Sequence, residues 1–279
     1  MRSAVAEEAD IDAYFERIGF AGSIAPSLET LGLLHLQHPM TIPFENLDPL
    51  MGAPVRLDLA NLQQKLLFDR RGGYCLEHNL LFKAVLQSLD FDVKVVGARS
   101  LWGHPEDAER PIGHIALITE IGAVPYLADV GFSAVTLTAP LRLKADIEQV
   151  TPHGKFRLTG GPPVWRLETL LGEDWTALYS FERAEFGADA IAELSERAST
   201  TGTQRDNLIA ARVDRTHRHT LRNLSLKRHG LDGTTERREI ASVQEIRDVL
   251  EQVFGIALPY DERLQPVLET VFARFSGSA

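Results

Sequence analysis

A single cysteine occurs among the 279 residues, and its neighbours are of the kinds a thiol nucleophile needs. The stretch Arg70-Arg71-Gly72-Gly73-Tyr74-Cys75-Leu76-Glu77-His78-Asn79 sets two glycines ahead of the sulfur and an apolar helical repeat behind it. Leu76, Leu80, Leu81, Ala84, Val85 and Leu89 mark the inward stripe of an amphipathic helix, which puts Cys75 at or near the first turn. Unpaired backbone N–H groups and the helix dipole favour negative charge on sulfur there. Gly72 and Gly73 allow a tight turn that leaves the sulfur open to a reactant. The competing reading is a small buried hydrophobe, because free cysteine is among the most buried residue types. The glycine turn, the helix start and the flanking Arg70 and Arg71 bring the two readings into balance.

A cysteine nucleophile needs a base for its proton and a third group to orient that base. Nine histidines are available. His78 shares the helix face of Cys75 at i+3 and is poorly placed to reach a substrate between them. His104 lies in a polar, proline-containing loop. His114 stands at the start of an apolar strand, where a polar side chain is costly unless paired. Asp129 is the matching oddity, a carboxylate inside Tyr126-Leu127-Ala128-Asp129-Val130-Gly131-Phe132. Cys75, His114 and Asp129 then follow in the order nucleophile, base, orienter; separate structural roles for the three remain open on this pattern.

The elements that must position these residues are legible in outline. Helices are expected over 10–20, Ser27 to His38 with Pro39 as the stop, 58–68, and from Cys75 to about 90, with Ile42 to Leu47 as a loop. The period then shortens to strands at 92–99, 113–118 and 125–132, with weaker ones near 135–143, 155–158 and 164–167. Such short strands predict a small antiparallel barrel or sandwich. Helix returns at 184–199, strands at 207–213 and 220–226, and helices at 243–254 and 264–275, where Pro266 is tolerated only in a first turn.

Composition bounds the function. Lys and Arg total 29 against 39 Asp and Glu, a net charge of −10, which argues against a general nucleic-acid binder. One cysteine excludes an intrachain disulfide framework and a CxxC metal or redox site, and fits a reducing cytoplasm. The acidic segment from Met1 to Asp10 has no apolar core of a signal peptide, and no apolar run approaches the ~20 residues of a membrane span. There is no Walker loop and no GxGxxG.

Arg71 to Asn79 closely resembles the active-cysteine motif of the arylamine N-acetyltransferases. Ile42-Pro43-Phe44-Glu45-Asn46-Leu47 resembles that family's upstream segment, and Gly113-His114 and Asp129-Val130-Gly131-Phe132 its histidine and aspartate motifs. The resemblance implies an α+β fold: a helical bundle over 1–91 with the nucleophile, a β-barrel over 92–183 with the histidine and aspartate, an interdomain helix over 184–205 and an α/β lid over 206–279. It implies Cys75 as acyl-accepting nucleophile, His114 as base and Asp129 as its orienter, in a papain-like arrangement. Acetyl-CoA would be the co-substrate, with no metal. The acceptor would be an arylamine, arylhydrazine or N-hydroxyarylamine of xenobiotic metabolism, and the protein a monomer or homodimer.

Phe44 and Phe132 are expected to line an apolar acceptor pocket or else to be core, and Gly131 and Ser133 to touch the cofactor. Arg212, Arg215, Arg218, Arg222, Lys227 and Arg228 lie in a stretch whose only acid is Asp214, either a phosphate-contacting patch or a solvated strand face. Three departures stand out: Ser133-Ala134 where many relatives have two glycines, Gly202 to Asp206 where many carry proline and an aromatic, and His78 in place of a common glutamine. An amide synthase taking a carrier-bound acyl chain, a transglutaminase-like thiol hydrolase and a non-enzymatic binding module are the competing functions.

Overall fold

The computed structural model describes residues 8–105, 110–200 and 202–277; most of the acidic N-terminal segment lies outside them. The chain opens with α1 (Ile11–Ile18), capped by the Asp10 side chain, which accepts from Ala13 N at 2.9 Å, and stopped by Gly19 at φ 71°. α2 (Leu28–Thr41) starts on a Ser27 cap and runs two residues past Pro39, where a stop was expected. In a last turn the ring forfeits a single hydrogen bond, and Ile42 N still closes onto His38 O at 2.8 Å. The expected loop after it contains β1 (Phe44–Glu45) and α3 (Leu47–Leu50). α4 (Leu59–Gln63) continues as a π turn over Gln64–Phe68, and α5 (Cys75–Ser88) follows the double glycine.

Next come β2 (Asp92–Ser100), β3 (His114–Ile121), β4 (Val124–Ala128), β5 (Leu141–Arg142), β6 (Glu148–Thr151), β7 (Gly154–Gly161), β8 (Val164–Leu171) and β9 (Asp174–Glu185). Among the described residues these form one antiparallel eight-stranded sheet in the order β5-β4-β3-β2-β9-β8-β7-β6. It is a nearly closed barrel. The edge strands meet through Gln149, whose side-chain amide accepts from Arg142 N at 2.8 Å and donates to Arg142 O at 3.0 Å. Val96, Ala98, Ile118, Leu127, Phe156, Leu167 and Phe181 fill its interior.

Three strand expectations need correction. The 125–132 strand ends at Ala128, because Gly131 N turns back to donate to Asp129 Oδ1 at 2.9 Å. The 135–143 segment is strand only at Leu141–Arg142. β9 was not foreseen, and the helix expected from 184 begins at Ala188 because 184 and 185 belong to that strand. Leu178 is an extra residue on β9, opposite the Leu167–Glu168 step, so Ala177, Leu178 and Tyr179 are buried in a row and alternation is lost.

α6 (Ala188–Thr200) and α7 (Thr203–Asp206) lead to a second sheet made of β10 (Ile209–Val213), β11 (His217–Arg222), β12 (Ser225–Gly230) and β13 (Thr235–Glu239). Its order is β1-β10-β11-β12-β13, so a strand from the N-terminal region forms its first edge. The expected strand at 220–226 is split by a hairpin turn, with 220–222 ending β11, Asn223 at φ 55° in the turn, and 225–226 opening β12. β13 was missed because all five of its residues are exposed, leaving no apolar alternation to read. α8 (Val243–Gln252) and α9 (Leu264–Phe275) complete a separate apolar core with Leu208, Leu221, Ile240 and Phe254; Pro266 falls in the first turn of α9. No described helix is long and apolar enough to cross a membrane.

α5 is the element between helices and barrel. From Cys75 to Asn79 every residue is buried, and Phe82 and Leu86 are buried where Leu80 and Ala84, expected in the inward stripe, are only half-buried. A helix packed on several sides has no single apolar face.

Candidate active site

Cys75 is the first residue of α5 and is 7% exposed. Glu77, at the third helical position, accepts from Tyr74 N at 2.9 Å and so closes the helix start. The two glycines before it are demanded by space. A Cβ on Gly72 would collide with the Pro43 carbonyl oxygen, and one on Gly73 would stand 2.8 Å from Glu77 Cβ. Gly131 is the third such position, since its Cβ would sit 2.9 Å from Cys75 O. Close approach of backbone to backbone is the reason at Gly72 and Gly131, and the Glu77 side chain that closes the helix start is the reason at Gly73.

Arg71 does not serve the thiol. It donates to Glu45 at 2.8 Å and Asp48 at 2.9 Å, while Lys65 joins Glu77 at 2.8 Å and Asp48 at 2.6 Å. Burial opposes the charges on Lys65 and Arg71, and the surrounding carboxylates outweigh it and hold both pKa values above their ordinary range. Arg70 is exposed. The IPFENL segment is correspondingly a set of clamps. Glu45 anchors Arg71, and Asn46 donates to Gln204 O and Asn207 O, both at 2.7 Å, and accepts from Ile209 N at 2.8 Å.

The structure brings Cys75, His114 and Asp129 together. His114 Nε2 is 2.7 Å from Asp129 Oδ2, with both side chains buried, and the Cys75 sulfur lies beside the same imidazole, close enough to favour its charged form. With Nε2 engaged by the carboxylate, Nδ1 is the nitrogen left for sulfur. Burial disfavours the His114 cation; the charge and hydrogen bond of Asp129, with the Cys75 sulfur, outweigh it and hold the pKa up at about 10. Burial likewise would raise the Asp129 carboxyl, and His114 reverses this and holds it below its usual range.

Asp129 is held from every side by residues that the motif reading leaves without a role. Asn79 donates to Asp129 Oδ1 at 2.9 Å and Ile115 O at 2.8 Å, and accepts from Val130 N at 3.1 Å. Two backbone groups therefore fix the amide that fixes the carboxylate. Thr136 donates to Asp129 O at 3.2 Å. His35 Nε2 accepts from Asp129 N at 3.0 Å, which leaves the ring proton on Nδ1, buried without a hydrogen-bond partner. A signal for His35 existed: with Leu31, Leu34 and His38 it continues the buried stripe of α2. Tyr179 of β9, also missed, packs its ring 5.2 Å from His114 and 5.0 Å from Phe132.

The sulfur and the imidazole face an open cleft of about 1330 Å³ between the barrel, α6 and the second sheet. Phe44 and Phe132 both line it, with Phe132 set edge-on to His114 at 4.9 Å, and Gly131 and Ser133 lie beside them. Gly202, Thr203 and Gln204, from the departing segment, line the opposite side, with Phe272 and Phe275 of α9. Of the basic stretch, Arg222 and Lys227 reach the cleft, joined by His229 and Arg237. Arg218 is instead a buried strut to Thr136 O and His153 O, both at 2.9 Å, and Arg212 donates to Met40 O at 3.0 Å. Arg228 pairs with Glu236 at the surface. Among the described residues no group of three or more His, Cys, Asp or Glu side chains is placed to hold a metal ion.

A buried cysteine, histidine and aspartate thus stand together at the wall of a cleft, within an α+β fold of helices, barrel and second sheet. Residues 27–263 match a family model described as N-acetyltransferase. An arylamine N-acetyltransferase of Escherichia coli K12 is 41% identical over 63% of this chain, a match that spans 62% of that protein's length. The arylamine N-acetyltransferase of Mycobacterium tuberculosis H37Rv is 38% identical over 88% of this chain and 89% of its own. The Mycobacterium marinum arylamine N-acetyltransferase, solved in complex with CoA, superimposes with a TM-score of 0.90 at 35% identity, covering 94% of this chain and 99% of that one. The chain belongs to the arylamine N-acetyltransferase family, whose members are acyltransferases.

Proposed function

We propose that this protein transfers an acetyl group from acetyl-CoA to the nitrogen of arylamines, arylhydrazines or N-hydroxyarylamines through an acetyl-cysteine thioester. The observation that carries the reading is the buried Cys75–His114–Asp129 contact at the cleft wall. With the proton already held on His114 Nδ1, the Cys75 sulfur attacks the carbonyl carbon of the thioester as the thiolate of an ion pair. The tetrahedral adduct collapses, the C–S bond to CoA breaks, and the departing thiolate takes the proton from the imidazolium. The acetyl group now rests on sulfur. An amine attacks the new thioester, His114 accepts its proton, the C–S bond to Cys75 breaks, and the amide departs, which restores the pair of sulfur and protonated imidazole. Asp129 holds the imidazole in one orientation throughout, as in a papain-like triad. The Cys75 backbone N–H, at the first position of α5, is the candidate donor to the oxyanion.

Phe44 and Phe132 supply apolar walls for a flat acceptor. The phosphates of CoA are assigned to Arg222, Lys227 and Arg237 at the second sheet, with Gly131 and Ser133 nearer the thioester. Lys227 and Arg237 are directly opposite across β12 and β13. Like charges so placed are unfavourable; Glu239, 2.7 Å from Arg237, offsets part of this and a polyphosphate would relieve more. The barrel, α6 and the second sheet with α8 and α9 then act as three walls, the last as a lid.

Mass spectrometry of the intact protein after mixing with acetyl-CoA tests the route. The expected result is one added acetyl group, lost on adding an arylamine and absent in Cys75→Ala. No uptake by the wild-type protein would remove the acetyltransferase reading, and intersecting double-reciprocal plots would remove the covalent route.

A further inference from the structure

Behind Cys75, His38 and His78 form with Tyr14 and Pro43 a line of hydrogen bonds that the reaction above does not use. Tyr14 Oη is 2.9 Å from His38 Nδ1, His38 Nε2 is 2.8 Å from His78 Nδ1, and His78 Nε2 is 3.1 Å from the Pro43 carbonyl oxygen. All three side chains are buried. A carbonyl oxygen only accepts, so His78 donates from Nε2. Burial holds the His78 pKa down at about 4 and, with neighbouring positive groups, that of His38 well below its ordinary value, so both rings are neutral at pH 7. Each then carries one N–H. His78 Nδ1 accepts from His38 Nε2, and His38 Nδ1 accepts from the Tyr14 hydroxyl. One arrangement of protons satisfies every atom of the line.

Its far end is a wall of the site. The Pro43 carbonyl also accepts from Gly73 N at 3.3 Å, and Glu45 N donates to Gly73 O at 2.8 Å, which straps Pro43 to Glu45 against the turn that leads into Cys75. Between those anchors stands Phe44, on the cleft wall, its ring parallel to the His78 imidazole within 1° at a centroid distance of 6.2 Å. We propose that His78, oriented by His38 and Tyr14, is a positioning residue for the acyl acceptor: it sets where Phe44 stands relative to the Cys75 sulfur. It thereby governs how an aromatic amine is received, while leaving thioester exchange at Cys75 unchanged. This rests on reading Cys75 as the acetyl-carrying residue.

A two-step route separates the halves, since kcat/KM for acetyl-CoA reports acetylation and kcat/KM for the amine reports deacetylation. The variants are His78→Gln and His78→Leu. A glutamine amide carries one donor group for Pro43 O and one acceptor for His38, whereas leucine offers neither. His78→Leu is expected to lower kcat/KM for an aniline-type acceptor roughly tenfold, the size of one lost buried hydrogen bond. The value for acetyl-CoA should stay within about twofold and His78→Gln within about threefold of wild type on both substrates, a rescue that simple packing would not produce. Equal losses in both halves for His78→Leu, or a glutamine variant as impaired as the leucine one, would overturn the proposal. If the leucine variant does not fold, long-range ¹H–¹⁵N spectra of the wild-type protein at pH 7 decide. Nε2–H tautomers at His38 and His78 support the line, and an Nδ1–H or doubly protonated ring at either overturns it. Wild-type protein that takes up no acetyl group while showing these tautomers would locate the failure in the reaction rather than in the line.

Discussion

Cys75 divides two environments built on opposite principles. Behind it, α2, α5 and the Asp129 turn enclose His35, His38, His78, Asn79 and Asp129, each buried and each bonded to a particular atom. In front, the cleft is lined by exposed Arg222 and Arg237 and half-buried Lys227 and His229, on strands whose ion pairs lie at the surface. The contrast follows from dielectric. A buried polar group without its partner loses hydration and gains nothing, so the rear is bonded atom to atom, His35 Nδ1 excepted. A charge at the cleft mouth keeps its water and can be shared among neighbours, so the front tolerates redundancy. Within the rear, Asn79 and His35 hold the triad carboxylate in place, and the front admits anionic substrate.

Substitutions on either side should break or sharpen that contrast. Asp129→Asn, in the rear, should lower acetylation by about 10³–10⁴-fold, in line with loss of the orienting carboxylate in other triads. It also tests the pH profile. The wild-type imidazolium persists to about pH 10, so its basic limb should lie near there; the substitution removes the charge that raises it, and the limb should move down by more than one pH unit in single-turnover rates. A wild-type limb near pH 6.5 would mean that the rear does not control the imidazole. Next in size, Arg71→Met leaves Glu45 buried and unpaired and should cost about 3–5 kcal/mol in urea unfolding.

Acid should act most strongly on the rear, where burial is complete. His35 and His78 have folded pKa values near 4 against an unfolded value near 6.5, so the unfolded chain binds the extra protons as pH falls through that window. Stability is therefore full above about pH 6.5 and declines toward pH 4, by on the order of 3 kcal/mol for each histidine. Thermal melts from pH 7 to 4 measure it, and a flat profile would show the rings already charged in the fold. In the front, Lys227→Ser should raise KM for acetyl-CoA only several-fold, with kcat unchanged and the effect fading in salt, about 1 kcal/mol for one screened phosphate contact. The smallest effect is reserved for Arg228→Ser, whose pair with Glu236 is exposed, and which should leave both melting temperature and KM unaltered. If Lys227→Ser matched Asp129→Asn in size, the division between the two sides would fail.

The same division explains what could be read in advance. Local signals carried the helices, since Asp10, Ser27 and Gly19 are punctuation a short window contains. They carried β2 and β3 as β-branched runs, and missed β9 where one bulged residue breaks alternation and β13 where no residue is buried. His114 and Asp129 were legible as polar residues in apolar company. The stripe of α2 signals burial of His35 but not its task, and neither that task nor the task of Asn79 was legible, because their partners, the Asp129 and Val130 amides, lie more than fifty positions away in the chain.

The linear order of residues determined by itself that a thiol stands at a helix start, that a histidine and a carboxylate sit where burial demands partners, and that helices precede a run of short strands. These follow from short-range periodicity and the cost of burying charge. Tertiary structure alone decided which nitrogen of His114 faces the sulfur, that Arg71 is bound by Glu45 and Asp48 and not by the thiol, and that Arg218 is a strut while Lys227 lines the cleft. Each depends on which groups distant in sequence are brought within about 3 Å, the range over which a hydrogen bond acts.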